Sequence, residues 1–394
     1  MSTPMPIASA SRFARTSGAA IDPGGLEGVV VAHTELSDVD GERGRLVIRG
    51  HDAEELAARC DFEALCALLW SGALPATTEH CALRGALGQA RQRAWERLPG
   101  LGDALDAADA MDGLRAALAH LRAADSEDVQ GTAATRLDLT AAMAVYAAGW
   151  ARKHGGRTPL PPDPSLGHAA DYLRMATGTS DVPHFDARAA ALDAYLVTAA
   201  DHGMNASTFT ARVVASTHSD AVSAVVAAIG ALKGPLHGGA PGPVLAMLDA
   251  IGKPSNAAAW IAGKLAAGER IMGMGHRVYR VRDPRAAVLE RAVEPLQAAG
   301  VWSDRLALAR AVEAVATAAL HEHRPERRMA ANVEFYTAVI LDAVGLPQEL
   351  FTATFAVARV AGWLAHYAEQ RAHGRLIRPS SRYIGKMPED RAVA

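Results

Sequence analysis

Three observations predict a mostly α-helical chain. From Ala53 onward apolar residues recur at helical spacing, strand signal is confined to the first fifty residues, and Gly- or Pro-containing breaks separate the helical runs. With 394 residues, half of them hydrophobic, the chain can bury the core of one large or two medium domains.

Met1 to Ala20 carries Arg12 and Arg15 among Ser, Ala and Thr, with no acidic residue and no amphipathic period, so residues 1–24 read as a disordered tail. Val29-Val30-Val31 and Leu46-Val47-Ile48 flank Asp40-Gly41 and predict a small hairpin. Helical spacing follows at Leu56, Leu65, Leu68 and Leu69, then over Glu79 to Leu98 and Leu105 to Arg122, with breakers at Gly72 to Pro75 and at Pro99-Gly100. Asp138 to His154 is a helix so rich in Ala that neighbours, in this subunit or a second one, can pack close to it. Gly155 to Gly167, with four prolines, is a loop. Further helices span Asp186 to Ala200, Ala221 to Leu232, Arg305 to Leu320 and Phe351 to His373; others start near Ala286 and at Asn332.

Chemistry gathers where these helices stop. Arg270 to Arg285 places glycines, His276 and five arginines in sixteen positions. Gly273 and Gly275 let the backbone approach a ligand and leave N–H groups to donate. Arginines suit bidentate capture of carboxylate or phosphate. The G-x-G is no dinucleotide fingerprint, since no apolar strand precedes it and no third glycine follows at the required spacing. His202, Asn205 and Ser207 cluster where a helix gives way to a turn, although Asn and Ser also cap helices. His237 lies among Gly and Pro from Lys233 to Gly242, a bend that aims an imidazole and a natural hinge. Glu334 lies in a first helical turn among apolar neighbours, either as a dipole partner or as a base. Arg359 is a lone cation amid Ala, Val and Gly, costly unless it meets an anion.

A net charge of −3 argues against nucleic acid or an anionic membrane as the main partner, and no apolar run is long enough to span a bilayer. Cys60, Cys66 and Cys81 have no metal spacing; they read as reduced, core-packing thiols of a cytoplasmic protein. His321-x-His323 lacks a third ligand at convincing spacing, and no metal site is expected.

Taken together, several stretches resemble the citrate synthase family, in its bacterial small-subunit, dimeric branch, from about Gly25 to Gly385. They are Leu26-Glu27-Gly28-Val29 with Asp40-Gly41-Glu42-Arg43-Gly44, Asn205 to Phe209, Gly234-Pro235-Leu236-His237-Gly238-Gly239, and Gly275-His276-Arg277-Val278-Tyr279 followed by Asp283-Pro284-Arg285. The resemblance implies an all-α fold with a small N-terminal hairpin. It also implies a large domain and a small mobile one; the Gly/Pro breaks at His237 to Gly239 and at Gly345-Leu346-Pro347 place the large domain at 25–238, to which 345–394 returns, and the small one at 239–344. Its substrates would be oxaloacetate and acetyl-CoA, with no resident cofactor, in a homodimer or dimer-based oligomer. By the same resemblance His237 would hydrogen-bond the thioester oxygen and His276 would polarise the ketone. Arg285, Arg359 and His202 would bind oxaloacetate, with Asn205 and Ser207 nearby and Arg378 reaching in from the partner subunit. Arg280 falls where the family holds a CoA phosphate, Arg327 is a weaker candidate for the same task, and Gly273 and Gly275 line that side.

This chain departs from the family pattern in three places. Glu334 stands where the family has an aspartate base, Pro241 and Gly242 follow Ala240 where many members have Asn and Glu, and Arg328 to Ala331 replaces a common Gly-Ile-Tyr-Pro. The competing expectations are a 2-methylcitrate synthase using propionyl-CoA and a catalytically weak paralogue that binds oxaloacetate or CoA.

Overall fold

The structure is a computed structural model that describes residues 25, 26, 28–122, 133–178, 182–238, 241–275, 279, 281–301, 304–323, 329–385 and 388. The chain divides into two compact units, residues 1–33 and 34–394. In the first, the described residues form a turn closed by Val29 N–H on the Leu26 carbonyl at 3.0 Å, with Val29 and Val30 exposed. Val29 to Val31 is therefore no strand, and the reading of 1–24 as a tail lies outside the described residues.

The second unit opens with an antiparallel sheet of β1 (Ser37–Asp40), β2 (Arg45–Ile48) and β3 (His51–Asp52), in the order β1-β2-β3. The hairpin turns at Asp40-Gly41 as expected, but β2 pairs with Ser37–Asp40 rather than with the valines, Ser37 lying opposite Ile48. Turn geometry fixes the register and selects the nearer, more polar partner.

Fifteen α-helices follow among the described residues. They are α1 (Ala53–Arg59), α2 (Phe62–Ser71), α3 (Thr77–Glu96), α4 (Ala110–Ala119), α5 (Ala133–His154), α6 (His168–Thr177), α7 (Phe185–Ala199), α8 (Ala206–Ser216), α9 (Ala221–Leu232), α10 (Pro241–Ile251), α11 (Ala257–Ala266), α12 (Pro284–Ala298), α13 (Asp304–His323), α14 (Val333–Ala343) and α15 (Phe351–His373). Many starts are written in the sequence as side-chain caps. Asp61, Asp109, Asn205, Asp220, Asp283 and Asn332 each accept a backbone N–H from the first turn of the helix they precede. Leu105 falls in a short 3-10 turn ahead of α4 instead of in the helix itself. Helix α10 begins at Pro241, inside the Gly/Pro-rich run, because a proline in the first turn gives up an N–H that has no helical partner.

Helix α15 is the spine. Its side chains are buried nearly all round, and it packs against α2, α5, α7, α8 and α9. The Trp70 indole of α2 donates to its Ala361 carbonyl at 3.1 Å, and Tyr172 of α6 meets its Thr354 at 2.7 Å. Helices α10 and α13 pack on α14 and α11 packs on α13, while α12 rests on α14, α7 and α1. Of the cysteines only Cys66 is a core residue; Cys60 is half-buried, and Cys81 is exposed on the solvent side of α3, so the core-packing expectation fails there.

Candidate active site

Residues of α15 spaced three or four apart share one face, and that face assembles the site. Thr352 hydroxyl donates to the Gly238 carbonyl at 3.1 Å, fixing the end of the bend that carries His237. One turn on, the Phe355 ring meets His237 edge-on at 6.2 Å and underlies the Arg359 guanidinium at 4.7 Å. Arg359 is 1% exposed; its Nε donates to the Ala199 carbonyl at 2.6 Å, and its Nη1 is buried with no hydrogen-bond partner among the described residues. Burial lowers its pKa to about 10, Asp201 opposing and the nearby Arg285 charge adding to the fall, so it stays charged near neutrality.

Arg285 enters from α12. Asp283 caps that helix through Arg285 N–H at 3.0 Å, and the same carboxylate holds the guanidinium at 3.1 Å (Nε to Oδ1) and 2.9 Å (Nη2 to Oδ2). Its Oδ2 also accepts Val333 N–H at 3.3 Å, which binds the starts of α12 and α14 together and brings Glu334 beside Arg285. Glu334 Oε2 is buried without a partner among the described residues. Burial raises the Glu334 pKa above the usual carboxylate range against the pull of Arg285, making it a better proton acceptor.

His237 is set from behind. Its Nε2 lies 2.9 Å from Ser207 Oγ and receives Ser207 N–H at 3.3 Å. A backbone N–H only donates, so Nε2 accepts and the neutral ring carries its proton on Nδ1. Burial, with Arg359 nearby, lowers this imidazole to about 4, which keeps it a neutral donor. Ser207 is itself held: its one hydroxyl proton is shared between two acceptors, His237 Nε2 and Asn205 Oδ1 at 2.8 Å, and its Oγ accepts the Trp363 indole N–H at 3.1 Å. Asn205 spends its side chain capping α8 and bonding Thr208 Oγ1 at 2.8 Å. These two therefore brace the site. His202 Nε2 lies 3.0 Å from Tyr279 Oη, and the Arg285 guanidinium sits over the Tyr279 ring at 5.9 Å, so His202 and Arg285 share a neighbour.

The Gly-Met-Gly stretch is organised differently from expectation. Met274 and Ala331 form an isolated antiparallel bridge, in which Gly275 N–H donates to the Ala330 carbonyl and Asn332 N–H to the Gly273 carbonyl, both at 2.9 Å. The Gly275 N–H is thus used internally rather than offered to an anion. Glycine is required at 273 because φ is +73° and a Cβ would come within 2.9 Å of Phe335. The bridge lays Gly275 alongside Asn332, whose Nδ2 donates to the Gly275 carbonyl at 2.8 Å, two residues before Glu334. His276, Arg280 and Arg327 lie outside the described residues. Arg378 is exposed in the irregular segment after α15.

Two buried guanidiniums close enough to repel, a buried carboxylate with one oxygen unpartnered among the described residues, and a neutral imidazole donor can hold a small dicarboxylate, take a proton and stabilise an oxyanion. Among the described residues no group of three or more His, Cys, Asp or Glu is placed to hold a metal ion, and no helix is long and apolar enough to cross a membrane. Sequence reasoning gave no task to Asp283 or Asp201. The first had a signal, an Asp-Pro pair at a helix start. The second had only its place beside His202.

The family description "citrate synthase, C-terminal domain" matches residues 25–380. A citrate synthase of Haloferax volcanii is 40% identical over 385 residues, covering 93% of this chain and 96% of that protein. A 2-methylcitrate synthase of Mycobacterium tuberculosis is 39% identical over 371 residues, covering 92% and 90%. Among solved structures, the ternary complex of carboxymethyl coenzyme A and oxaloacetate with citrate synthase from Thermoplasma acidophilum superposes with a TM-score of 0.80 at 28% identity, covering 92% of this chain and 96% of that one.

Proposed function

The chain belongs to the citrate synthase family, and from that premise we propose that it condenses acetyl-CoA with oxaloacetate and hydrolyses citryl-CoA to citrate and CoA. The observation that carries this reading is the buried pair of Arg285 and Arg359, next to the Glu334 carboxylate, with Arg359 Nη1 and Glu334 Oε2 meeting no partner among the described residues.

In this mechanism Arg285 and Arg359 grip the carboxylates of oxaloacetate, with His202 beside them. Glu334 removes a proton from the methyl carbon of the thioester, and the His237 Nδ1–H donates to the thioester oxygen where enolate charge grows. The enolate carbon attacks the ketone of oxaloacetate, which His276 polarises, giving citryl-CoA. Water then cleaves its thioester and CoA leaves as the thiol. The chemistry asks for a base, an oxyanion donor and cationic clamps, and side chains supply all three. Arg280 and Arg327 are the proposed contacts to CoA phosphates, with Gly273 and Gly275 shaping that side of the site.

Assay of free thiol with oxaloacetate and either acetyl- or propionyl-CoA tests the function, and a higher kcat/KM with acetyl-CoA is expected. Glu334→Gln keeps the size and removes the proton affinity, so kcat falls about 10²- to 10⁴-fold while oxaloacetate binding changes little. Equal rates for wild type and Glu334→Gln would remove Glu334 as the base. Faster turnover of propionyl-CoA would point to 2-methylcitrate synthesis, and thiol release with neither substrate would leave a binding protein.

A further inference from the structure

Behind Arg359 lies a chain of buried polar groups that the reaction does not use. Asp201 is fully buried just past the end of α7, beside His202. One of its oxygens, Oδ2, accepts the Ser37 hydroxyl, and Oδ1 lies 3.1 Å from His366 Nε2. Ser37 Oγ in turn accepts Gly203 N–H at 3.1 Å, tying β1 to the turn that carries His202. On its other side His366 Nδ1 faces Arg212 Nη1 at 2.9 Å. A guanidinium only donates, so Nδ1 accepts and the Nε2–H points its proton at Asp201. Arg212 is anchored by Gln370 Oε1 at 3.0 Å and Glu369 Oε2 at 2.6 Å. Glycine at 362, on the same face of α15 as Arg359 and His366, is what lets the helix come this close. A Cβ there would lie 2.3 Å from the Ala200 carbonyl and 2.9 Å from Asp201 Oδ1.

Asp201 is near enough to Arg359 for each to feel the other's charge, yet among the described residues no hydrogen bond or ion pair joins them. Burial works against ionising Asp201, but His366, Ser37 and Arg359 outweigh it and hold its pKa below the usual value. It is therefore a carboxylate with both oxygens engaged, unable to swing onto the open edge of the guanidinium.

We propose that Asp201 is a positioning residue for the substrate dianion: tied by Ser37 and His366, it balances the charge of Arg359 without occupying it, leaving Nη1 to a substrate carboxylate. This rests on Arg359 as an oxaloacetate ligand. Removing the charge leaves Arg359 buried without a counter-ion, and removing the tie frees Asp201 to compete with substrate for the guanidinium.

The test is steady-state kinetics on the full-length protein, with calorimetric binding of oxaloacetate alone, for Asp201→Asn, His366→Ala, the double variant and the milder Ser37→Ala. Asp201→Asn and His366→Ala are expected to raise the oxaloacetate KM about tenfold or more, with the acetyl-CoA KM within about twofold. The double variant should lose no more than the worse single, since both act through one carboxylate. Ser37→Ala should shift the oxaloacetate KM the same way by a smaller factor, and it serves where a buried substitution prevents folding. Folded variants with unchanged oxaloacetate binding, equal changes in both KM values, or additive losses would overturn the positioning role alone. A wild-type protein that binds no oxaloacetate would overturn the reading of the site, and this inference with it.

Discussion

His237 is held near a pKa of about 4 because its ring is buried and Arg359 lies close by, while an unfolded chain would titrate near 6.5. Between those values the unfolded state binds the extra proton, so this residue's contribution to stability is complete above pH 6.5 and is lost as the pH falls toward 4. The shift is an upper bound of roughly 3 kcal/mol. Substituting His237→Gln should flatten that part of the profile, read as the difference between wild-type and variant denaturant midpoints at pH 7 and pH 4.5. A parallel fall in both would show that the ring is not the titrating group. For the rate, Glu334 is raised and His237 depressed, so the acid limb of kcat/KM belongs to Glu334 and begins at a higher pH than an ordinary carboxylate would give.

Helices α10 to α14 hold Arg285 and Glu334, whereas α7, α8, α9 and α15 hold or flank His202, His237 and Arg359. The seam between these groups includes α12 against α1 and α7, where a cavity of about 270 Å³ is lined by Ala57, Ala58, Ala190, Ala191 and Ala194 and spanned by the Arg291 to Glu54 ion pair at 2.8 Å. The cavity leaves this part of the seam incompletely packed, and its exposed ion pair adds little to hold it shut. We propose that residues 239–344 move as a small domain and close when oxaloacetate bridges Arg285 and Arg359. Hydrogen exchange should slow about tenfold in α1 and α12 on adding oxaloacetate. Exchange that stays the same at saturating oxaloacetate would count against closure.

The segment after α15 leaves Leu376, Tyr383 and Ile384 57%, 69% and 73% exposed, and Arg378 within it is exposed as well. Apolar side chains on an extended arm suit burial against another copy. We propose a homodimer in which Arg378 completes the partner's oxaloacetate site. Mixed dimers of Arg378→Ala and His276→Ala chains should then regain about half of the wild-type activity, since one of the two sites recovers both residues. Activity no higher than the two variants give separately would assign Arg378 to its own subunit or to no site.

Local patterns determined the helical class, most helix spans and the chemistry-bearing stretches around His202, His237, Arg285, Glu334 and Arg359. Helical period, capping residues and Gly/Pro breaks act over a few neighbours and are legible in one dimension. Long-range packing decided the rest. Which strand pairs with Leu46 to Ile48 depends on register, the use of Gly275 N–H depends on a bridge to residues more than fifty positions away, and the alignment of Asp201, His366 and Arg212 depends on α15 lying against the α7–α8 turn. Such contacts join groups up to about 165 residues apart, and only close packing of whole helices brings their charges within hydrogen-bonding reach.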